Sequence, residues 1–278
     1  MPRHALIIGC GYTGRRTAAL LLRRGWEVTA TTRNPDGLAE MRELGATVLR
    51  FDVSGTERLG VSAARASVLL SVPTLRCNGS LDEPTPRILS ALEGSPRHVA
   101  YLSTTGVYGA TSVVNATTPA APQTQRQRLR LLAENAVRSQ PCPSLVLRPA
   151  AIYGPGRGIH SAMQAGRFRL ARDKRRYVSR IHVDDLAKVT AVAMEHGIEG
   201  VYPVADRLPA PSRDVALFCA ELLKLQMPPA VPNGELSETR RSDRRVDGTA
   251  VLSLLGLRLM HPTYREGIPA SVAAEQAA

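Results

Sequence analysis

The sequence predicts an α/β fold with a doubly wound parallel sheet and a small C-terminal α/β lobe. Up to Tyr153, short apolar runs alternate with helical segments, and a turn with three glycines joins the first strand to the first helix. After Tyr153 the segments are shorter, and strands and helices no longer alternate regularly. Alternating strands and helices with short connections are typical of a parallel sheet that helices cover on both faces. A chain of 278 residues is long enough to bury such a core.

The strands and helices before Tyr153 follow one another in regular order. The first part holds the strand HALIIGC, the helix TAALLLRRG closed by Gly25, the strand WEVTATTR, a helix in NPDGLAEMRELGA stopped by Gly45, and the strands TVLRFDVS and SVLLSVPT. The second part holds a helix in PTPRILSALEGS, a strand in RHVAYLSTTGVYG, the helix QRQRLRLLAENAVRSQ and the strand SLVLRPAAIYG. Because the strands are almost continuously apolar, both faces of the sheet should be buried.

The segments after Tyr153 are shorter and more mixed. They predict a loop and helix, a short strand near YVSRIHV, a helix that begins near Asp184 and Asp185, a strand in VYPVAD, a helix with Ser212 as N-cap and Asp214 in its first turn, and a helix near TAVLSLLG. We therefore assign residues 1–155 and about 181–205 to the sheet domain. Residues from about 156–180 and 206–278 form the smaller lobe.

Composition and charge limit the classes of partner. The net charge is +12, but the basic runs at 167–176 and 238–245 also carry acids, and aromatic residues make up 4% of the chain, too few for base-stacking surfaces. An anionic small molecule is therefore favoured over nucleic acid. The four cysteines lie far apart without metal-ligand spacing, which indicates a reducing cytoplasm and no metal site. The N-terminal apolar run is too short to span a membrane.

The three glycines predict a dinucleotide site. Gly9, Gly11 and Gly14 form a G-x-G-x-x-G motif between a strand and a helix, as in Rossmann-type sheets. The first glycine makes the turn, the second lets the backbone approach a pyrophosphate, and the third allows close packing. The start of the helix then faces the phosphates with its N–H groups. Tyr12, Thr13 and Arg15, in the same turn, are further predicted cofactor contacts.

The second strand indicates which dinucleotide is bound. NAD sites usually carry an acidic residue at this point to hold the ribose, whereas this chain has Thr31, Thr32 and Arg33. An arginine can bind a 2′-phosphate through a bidentate fork, so Thr32 and Arg33 favour NADP, with NAD as the alternative. We also assign four residues after the third and fourth strands to the cofactor site: Asp52, Val53, Ser71 and Val72.

Several motifs together resemble a known family. The glycine motif, FDV, STTGVYG, LLAENAV, LRPAAIYGPGR and RIHVDDLA occur in the order found in extended short-chain dehydrogenases/reductases. The chain thus resembles the NAD-dependent epimerase/dehydratase superfamily, and in particular its small, atypical YeeZ-like branch. The resemblance implies an oxidoreductase or epimerase that acts on a small polar substrate, and it implies a homodimer.

The resemblance also implies catalytic positions. Thr104 matches the residue that binds the substrate oxygen, while the usual Tyr-x-x-x-Lys pair falls on Arg126 and Arg130. Arg130 can still hold ribose hydroxyls, but an arginine stays protonated and cannot do the work of a tyrosine. Tyr108 is therefore a candidate proton donor, and Tyr153 and His160 are weaker ones.

Four further residues carry expected ligand contacts. Pro149 and Ile152 are expected at the cofactor, and Arg157 and Arg167 at an anionic substrate. His182, in RIHVDD, is expected to have a structural role.

Two classes of function remain open. The first is an NADP-dependent enzyme in which Thr104 polarises the substrate, and the retained STTGVYG and RPAAIYGPGR loops favour it. The second is a catalytically silent NADP-binding sensor or regulator, and the arginines at 126 and 130 favour it. A nucleic-acid binder that uses the basic surface is a weaker third alternative.

Overall fold

The computed structural model describes residues 3–55, 59–172, 176–236 and 243–277. The strands are β1 (His4–Ile8), β2 (Glu27–Thr32), β3 (Thr47–Arg50), β4 (Ser67–Leu70), β5 (Leu75–Cys77), β6 (Ser80–Asp82), β7 (His98–Leu102), β8 (Val113–Val114), β9 (Ser144–Pro149), β10 (Ala151–Tyr153), β11 (Leu170–Ala171), β12 (Tyr177–Val178), β13 (Arg180–His182), β14 (Gly200–Val204), β15 (Ala210–Pro211), β16 (Ala230–Val231) and β17 (Arg245–Val246). Parts of both basic runs, 173–175 and 238–242, lie outside the described residues.

Helices connect these strands. The α-helices are α1 (Gly14–Arg23), α2 (Ala39–Glu43), α3 (Thr85–Ser90), α4 (Gln125–Arg138), α5 (Ile159–Gln164), α6 (Val183–Glu195), α7 (Ser212–Leu223), α8 (Thr249–Leu254) and α9 (Tyr264–Gln276). Short 3-10 helices cover Pro35–Leu38, Thr105–Tyr108 and Asn233–Glu235. In the part of the chain that the structure describes, no helix combines the length and the apolar character that crossing a bilayer requires.

The chain divides into two compact units. The first unit comprises residues 1–109, 122–148 and 186–202, and the second comprises 110–121, 149–185 and 203–278. The sequence-based division differs from this one in four segments, because it places 110–121, 149–155, 181–185 and 203–205 with the sheet domain. The contacts of these segments in the folded chain assign them to the second unit.

The first unit is built on a parallel sheet. Among the described residues, seven strands form it in the order β3-β2-β1-β4-β7-β9-β14. β1 lies between β2 and β4 in parallel register, with Ala5 opposite Val28 on one side and Ser67 on the other. Every residue of β4 and β7 is buried, as expected for strands covered on both faces. The predicted Rossmann-type α/β fold is confirmed, and the carboxyl ends of the strands lie along one edge.

Helix α4 carries two predicted site residues, of which Arg130 is buried. Thr124 starts the helix through a capping box, in which Thr124 Oγ1 accepts from Gln127 N and Gln127 Oε1 accepts from Thr124 N. Ala133 and Val137 pack in the core with Leu70 and Val146. Residues at i and i+4 share a helix face, so the polar side chains of residues 130 and 134 are also buried.

The second unit has its own core. Tyr153, Phe168, Val215, Tyr264 and Ile268 are among its buried members, contributed by β10, α7, α9 and the loops beside them. The Cβ position of a residue at 267 would overlap the Tyr153 ring, so a glycine in α9 allows the tyrosine to pack there.

Two details differ from the sequence prediction. Ser212 is the first residue of α7 and not its N-cap, because Pro211 is held in extended backbone by the β12–β15 pair and takes the cap position. Asp214 does lie in the first turn, as predicted. The sequence analysis also missed the β5–β6 hairpin, whose turn Asn78–Gly79 has positive φ angles of 48° and 80°. Such Asn-Gly pairs are a recognised hairpin signal.

Candidate functional site

In the glycine turn between β1 and α1, two positions leave no room for a side chain in the folded protein. Gly9 has φ 85°, and a Cβ there would lie 2.6 Å from Ser71 O. A Cβ on Gly14 would lie 2.8 Å from Gly9 O. Gly11 differs, because a Cβ at that position would meet nothing within 4 Å among the described residues. The open space at Gly11 suits a ligand that approaches the backbone closely.

The beginning of α1 is not capped by its own sequence. Thr13 occupies the N-cap position, and among the described residues its side chain makes no capping hydrogen bond; the first turn contains no acidic residue. Tyr12 stacks with Arg16, whose Cζ lies 4.5 Å from the ring centroid, while Arg15 is exposed. The positive end of α1 is therefore suited to an anionic group supplied by a ligand.

The end of β2 lies beside this turn. Thr31 is buried, its hydroxyl accepts from Gly9 N at 3.2 Å and its carbonyl accepts from Cys10 N at 2.8 Å. Thr32 is half-buried and Arg33 is exposed. After β3, Asp52 accepts two hydrogen bonds from Ser54, which lower the pKa of Asp52, and the positive charge of Arg33 contributes in the same direction.

The predicted residues after β4 adjoin the same turn. Ser71 is half-buried, and Ser71 N donates to Ile8 O at 2.9 Å, while Val72 is buried. Val53, on the other side, is half-buried. The structure thus brings the predicted cofactor residues of the first unit to one edge of the sheet, along β3, β2, β1 and β4.

Arg130 stabilises the ends of two strands. Its guanidinium donates to Val72 O at 2.8 Å and to Leu102 O at 2.6 Å, and it lies 3.4 Å from a carboxylate oxygen of Glu83. The side chain is 8% exposed, and Cζ lies 4.7 Å from the Tyr101 ring centroid. Arg126, one turn earlier on α4, is exposed. The lysine position of the family motif therefore holds an arginine whose donors contact backbone carbonyls.

Thr104 follows directly after β7. Its hydroxyl caps the short helix Thr105–Tyr108 by accepting from Gly106 N at 3.1 Å. The side chain is half-buried, so a hydroxyl group remains near the carboxyl edge of the sheet.

A buried polar network lies behind Thr104. Glu134 accepts from the Ser103 hydroxyl and from two nitrogens of Arg148, with the shortest Arg148 contact at 2.6 Å. Arg148 Cζ lies 4.8 Å from the ring centroid of Tyr108, which is fully buried. The ring of the candidate proton donor Tyr108 therefore packs against the guanidinium group of the Arg148–Glu134 ion pair. Because Arg148 and Glu134 are both buried, each charge needs the other as its partner.

Four of the predicted cofactor and proton-donor residues belong to the second unit. Pro149 is buried, and Ile152 is half-buried on β10, which pairs with β13. Tyr153 is buried and donates to Thr263 O at 3.3 Å; burial raises its pKa, and the charges of Asp206 and Asp185 raise it further. His160 is fully buried beside Glu275, at 3.1 Å, and burial lowers its pKa although Glu275 opposes the shift.

The second unit contains a cavity of about 930 Å³ with a basic lining. The charged residues that line it are Arg157, Arg169, Arg172, Arg176, Arg180, Arg213 and Asp214. Arg180 is buried and donates to Val178 O at 2.7 Å and Ala210 O at 3.2 Å. Of the two arginines that the sequence analysis assigned to an anionic substrate, Arg157 lines the cavity, whereas Arg167 is exposed and outside its lining.

Asp206, close to Arg180, is a buried acid. Burial raises its pKa to about 7, while the positive charge of Arg180 lowers the pKa and limits the rise. Asp206 N donates to Arg180 O at 2.6 Å, and Asp206 Oδ1 accepts from Leu208 N at 3.3 Å. This carboxyl group can therefore change its protonation near neutral pH.

Comparison with known proteins decides the family. A family model described as NAD(P)H-binding matches residues 9–196, which include the glycine turn, Thr104 and α4. The chain belongs to this NAD(P)H-binding family. The match confirms the predicted NAD(P) binding at the level of the family.

Relatives of this NAD(P)H-binding protein cover nearly its whole length. Protein YeeZ of Escherichia coli K12 is 28% identical over 274 residues, covering 92% of this chain and 95% of YeeZ, so the predicted YeeZ-like resemblance is confirmed. A functionally unknown conserved protein from Silicibacter pomeroyi is 34% identical, with a TM-score of 0.78 over 98% of this chain and 99% of that one.

A more distant solved structure shares the fold. The UDP-glucuronic acid 4-epimerase of Bacillus cereus, in complex with UDP-glucuronic acid and NAD, is 17% identical, with a TM-score of 0.78 over 99% of both chains. At this identity the similarity concerns the fold alone.

Sequence reasoning missed several residues around the sites of this NAD(P)H-binding protein. The Glu134–Arg148 pair was not found, because no local pattern joins residues on a helix and a distant strand. Asp206 was read only as the end of a strand. Three of the cavity arginines, Arg169, Arg172 and Arg176, had one usable signal, the basic run at 167–176, which was discounted because it also carries acids.

Proposed function

We propose that this protein is an NADP-dependent oxidoreductase or epimerase that acts on a small polar substrate with anionic groups. The cavity of the second unit is the observation that supports this proposal. Its lining includes six arginines and one aspartate, and its volume of about 930 Å³ is at the upper end of the range common for small-molecule sites. A protein that only sensed the cofactor would need no second cavity of this kind.

The residues at the carboxyl edge of the sheet support the proposed binding of NADP. The open position at Gly11 and the uncapped start of α1 fit a pyrophosphate. The absence of a carboxylate in β2 (Glu27–Thr32) after Glu27, together with the exposed Arg33, favours a 2′-phosphate over a bare ribose. NADPH, when bound, would supply a hydride equivalent to the substrate.

The substrate half rests on the arginines of the cavity. Guanidinium groups bind phosphate and carboxylate through paired hydrogen bonds, and Arg172 and Arg213 are exposed members of the lining. The Bacillus cereus epimerase holds UDP-glucuronic acid, which carries both kinds of anion. A phosphorylated or nucleotide-linked sugar is therefore the substrate class that we propose.

The proton in this reaction would not come from the usual tyrosine. We assign Thr104 the role of orienting the substrate oxygen, because its hydroxyl lies at the carboxyl edge of the sheet. Tyr108 is fully buried, and Tyr153 already donates its proton to Thr263 O. Water is therefore the proposed proton donor: it protonates the reduced oxygen of the substrate and leaves hydroxide.

A catalytically silent NADP-binding sensor is the second candidate. It is favoured by the arginines at 126 and 130, and by the contacts of Arg130 with Val72 O and Leu102 O. Those contacts give Arg130 a structural role that needs no reaction.

A binding titration followed by a turnover screen tests the proposal. NADPH and NADH are titrated while nicotinamide fluorescence is followed, and UDP-sugars, sugar phosphates and uncharged carbonyl compounds are then screened for cofactor oxidation. We expect tight NADPH binding and turnover confined to anionic substrates. Tight binding without any turnover would contradict the enzyme and support the sensor.

Two matched arginine variants test the cavity. Arg213→Ala removes a lining residue and should raise the KM of an anionic substrate about tenfold or more, as expected for a lost charged hydrogen bond. Arg167→Ala, outside the lining, is the control and should leave KM unchanged. Equal effects of the two substitutions would exclude the cavity as the substrate site.

A further inference from the structure

Three potential metal ligands lie close together in the second unit. His182, Asp184 and His261 each present a ligand atom, and these atoms lie within 4.8 Å of one another. The two imidazole rings have centroids 4.0 Å apart, and His182 Nδ1 lies 3.7 Å from Asp184 Oδ2. The cluster joins the start of α6 to the segment before α9, and none of its residues lines the arginine-rich cavity.

The hydrogen bonds of His182 determine which ring nitrogen carries the proton. Ser271 Oγ donates its single proton to Gly267 O at 2.6 Å, so it can only accept from His182 Nε2, at 3.1 Å. His182 therefore carries its proton on Nε2. Nδ1 then has a lone pair, which accepts a hydrogen bond of 3.3 Å from Asp184 N, and a metal ion bound to Nδ1 would replace that hydrogen bond.

This arrangement is the one found around metal-binding histidines. A ligating histidine usually donates its other N–H to a neighbouring acceptor, which fixes the tautomer and the orientation of the ring. Here the acceptor is Ser271, which is fully buried in α9. The lone pair on Nδ1 lies on the side of the ring that faces Asp184.

The other two ligands are held but still reachable. Asp185 accepts from Met260 N at 2.6 Å and from His261 N at 2.9 Å, which fixes the backbone that carries His261. Asp184 has a side chain that is 42% exposed, so an ion and its remaining water ligands have access from solvent.

We propose that His182, Asp184 and His261 form a binding site for a divalent first-row transition metal, with Zn²⁺ as its preferred ion. Two imidazole nitrogens and one carboxylate oxygen are a donor set typical of zinc, with water completing the tetrahedron. Zinc ligands lie about 2.0–2.2 Å from the metal, which places them about 3.5 Å apart. The His182–Asp184 separation of 3.7 Å is close to this value, and the separations that involve His261 are at most 4.8 Å, so His261 has to approach by no more than about 1.3 Å.

The consequence is a metal cross-link between α6 and the segment that leads into α9. Because all three ligands come from the folded second unit, the ion should bind the native chain and stabilise it by mass action. The sequence predicted no metal site, because its cysteines have no metal-ligand spacing and His261 lies far from His182 and Asp184 in the chain.

Zn²⁺ and Co²⁺ titrations of the chelator-treated full chain test the proposal. We expect one equivalent of Zn²⁺ by calorimetry, a rise in the midpoint of thermal unfolding, and visible d–d absorption bands when Co²⁺ is the probe. All three measurements are made without cofactor or substrate, so they do not depend on the proposed enzymatic function.

The variants are chosen so that each keeps the fold. Asp184→Asn and His261→Gln should each weaken Zn²⁺ binding at least tenfold, and Ser271→Ala should weaken it by about 10- to 100-fold through the orientation of His182. His196→Ala, which removes an exposed histidine outside the cluster, should leave the affinity unchanged. Absence of Zn²⁺ binding, or binding that survives Asp184→Asn and His261→Gln, would overturn the proposal.

Discussion

The substitution Gly11→Ala should weaken cofactor binding without lowering the stability of the fold. In the protein alone, the added Cβ meets nothing within 4 Å, and Gly11 is not among the residues with positive φ. Folding should therefore tolerate the alanine, which also lowers the entropy of the unfolded chain. The expected change in the free energy of unfolding lies between zero and a gain of about 1 kcal/mol.

Cofactor binding should respond differently. The methyl group would occupy the space through which a pyrophosphate approaches the backbone. Loss of one hydrogen bond to a charged group costs about 1.5–3 kcal/mol. Since each 1.4 kcal/mol is about a factor of ten, the Kd for NADPH should rise about 10- to 100-fold.

Gly9→Ala is the matched comparison. Its Cβ would lie 2.6 Å from Ser71 O and would sit on a residue with φ 85°, so this variant should lose stability even without ligand. The strained backbone and the overlap should each cost about 1–3 kcal/mol. Nicotinamide fluorescence gives the two Kd values, and urea unfolding gives the stabilities. If Gly11→Ala binds NADPH as tightly as the wild type, the glycine turn does not contact the pyrophosphate, and the reasoning is refuted.

Three further predictions concern charged residues. Arg33→Asp should weaken binding of NADPH more than binding of NADH in parallel fluorescence titrations; equal losses would exclude the 2′-phosphate contact. Glu134→Ala removes the partner of buried Arg148 and an acceptor of Ser103, so unfolding in urea should show a loss of about 3–5 kcal/mol, with a smaller loss for Glu134→Gln. Asp206 has an ordinary pKa of 3.8, raised to about 7 in the fold, so its contribution to stability is full below pH 4 and is lost as pH rises to 7. Unfolding free energies measured across this range should fall with pH, and Asp206→Asn should reduce that slope; an unchanged slope would show that Asp206 titrates normally.

The contacts of Arg130 change how the family motif is interpreted in this chain. At the lysine position of the motif, its guanidinium binds the carbonyls at the ends of β4 and β7. A lysine has a single ammonium group, whereas the planar fork of arginine reaches two acceptors at once. The arginine therefore suits a role in holding strand ends, whatever contact it makes with a ribose.

The sheet and the glycine turn could be predicted from the sequence because their signals are local. Continuous apolar runs such as that in β4, and glycines placed directly between a strand and a helix, depend on neighbours in the chain. Parallel strands then bring their carboxyl ends to one edge, so the grouping of Gly9, Thr32 and Asp52 follows from the topology alone.

The remaining features needed the tertiary structure, because they join residues that are distant in sequence. The ion pair of Glu134 with Arg148 connects α4 to β9. The arginines of the cavity come from β13, α7 and several loops, and the cluster of His182 with His261 joins β13 to the segment before α9. Whether a polar side chain pairs, binds a ligand or faces solvent depends on its burial and on its partners. The burial and the partners of a side chain are determined by packing in the folded chain. The spacing of residues along the sequence therefore does not reveal them.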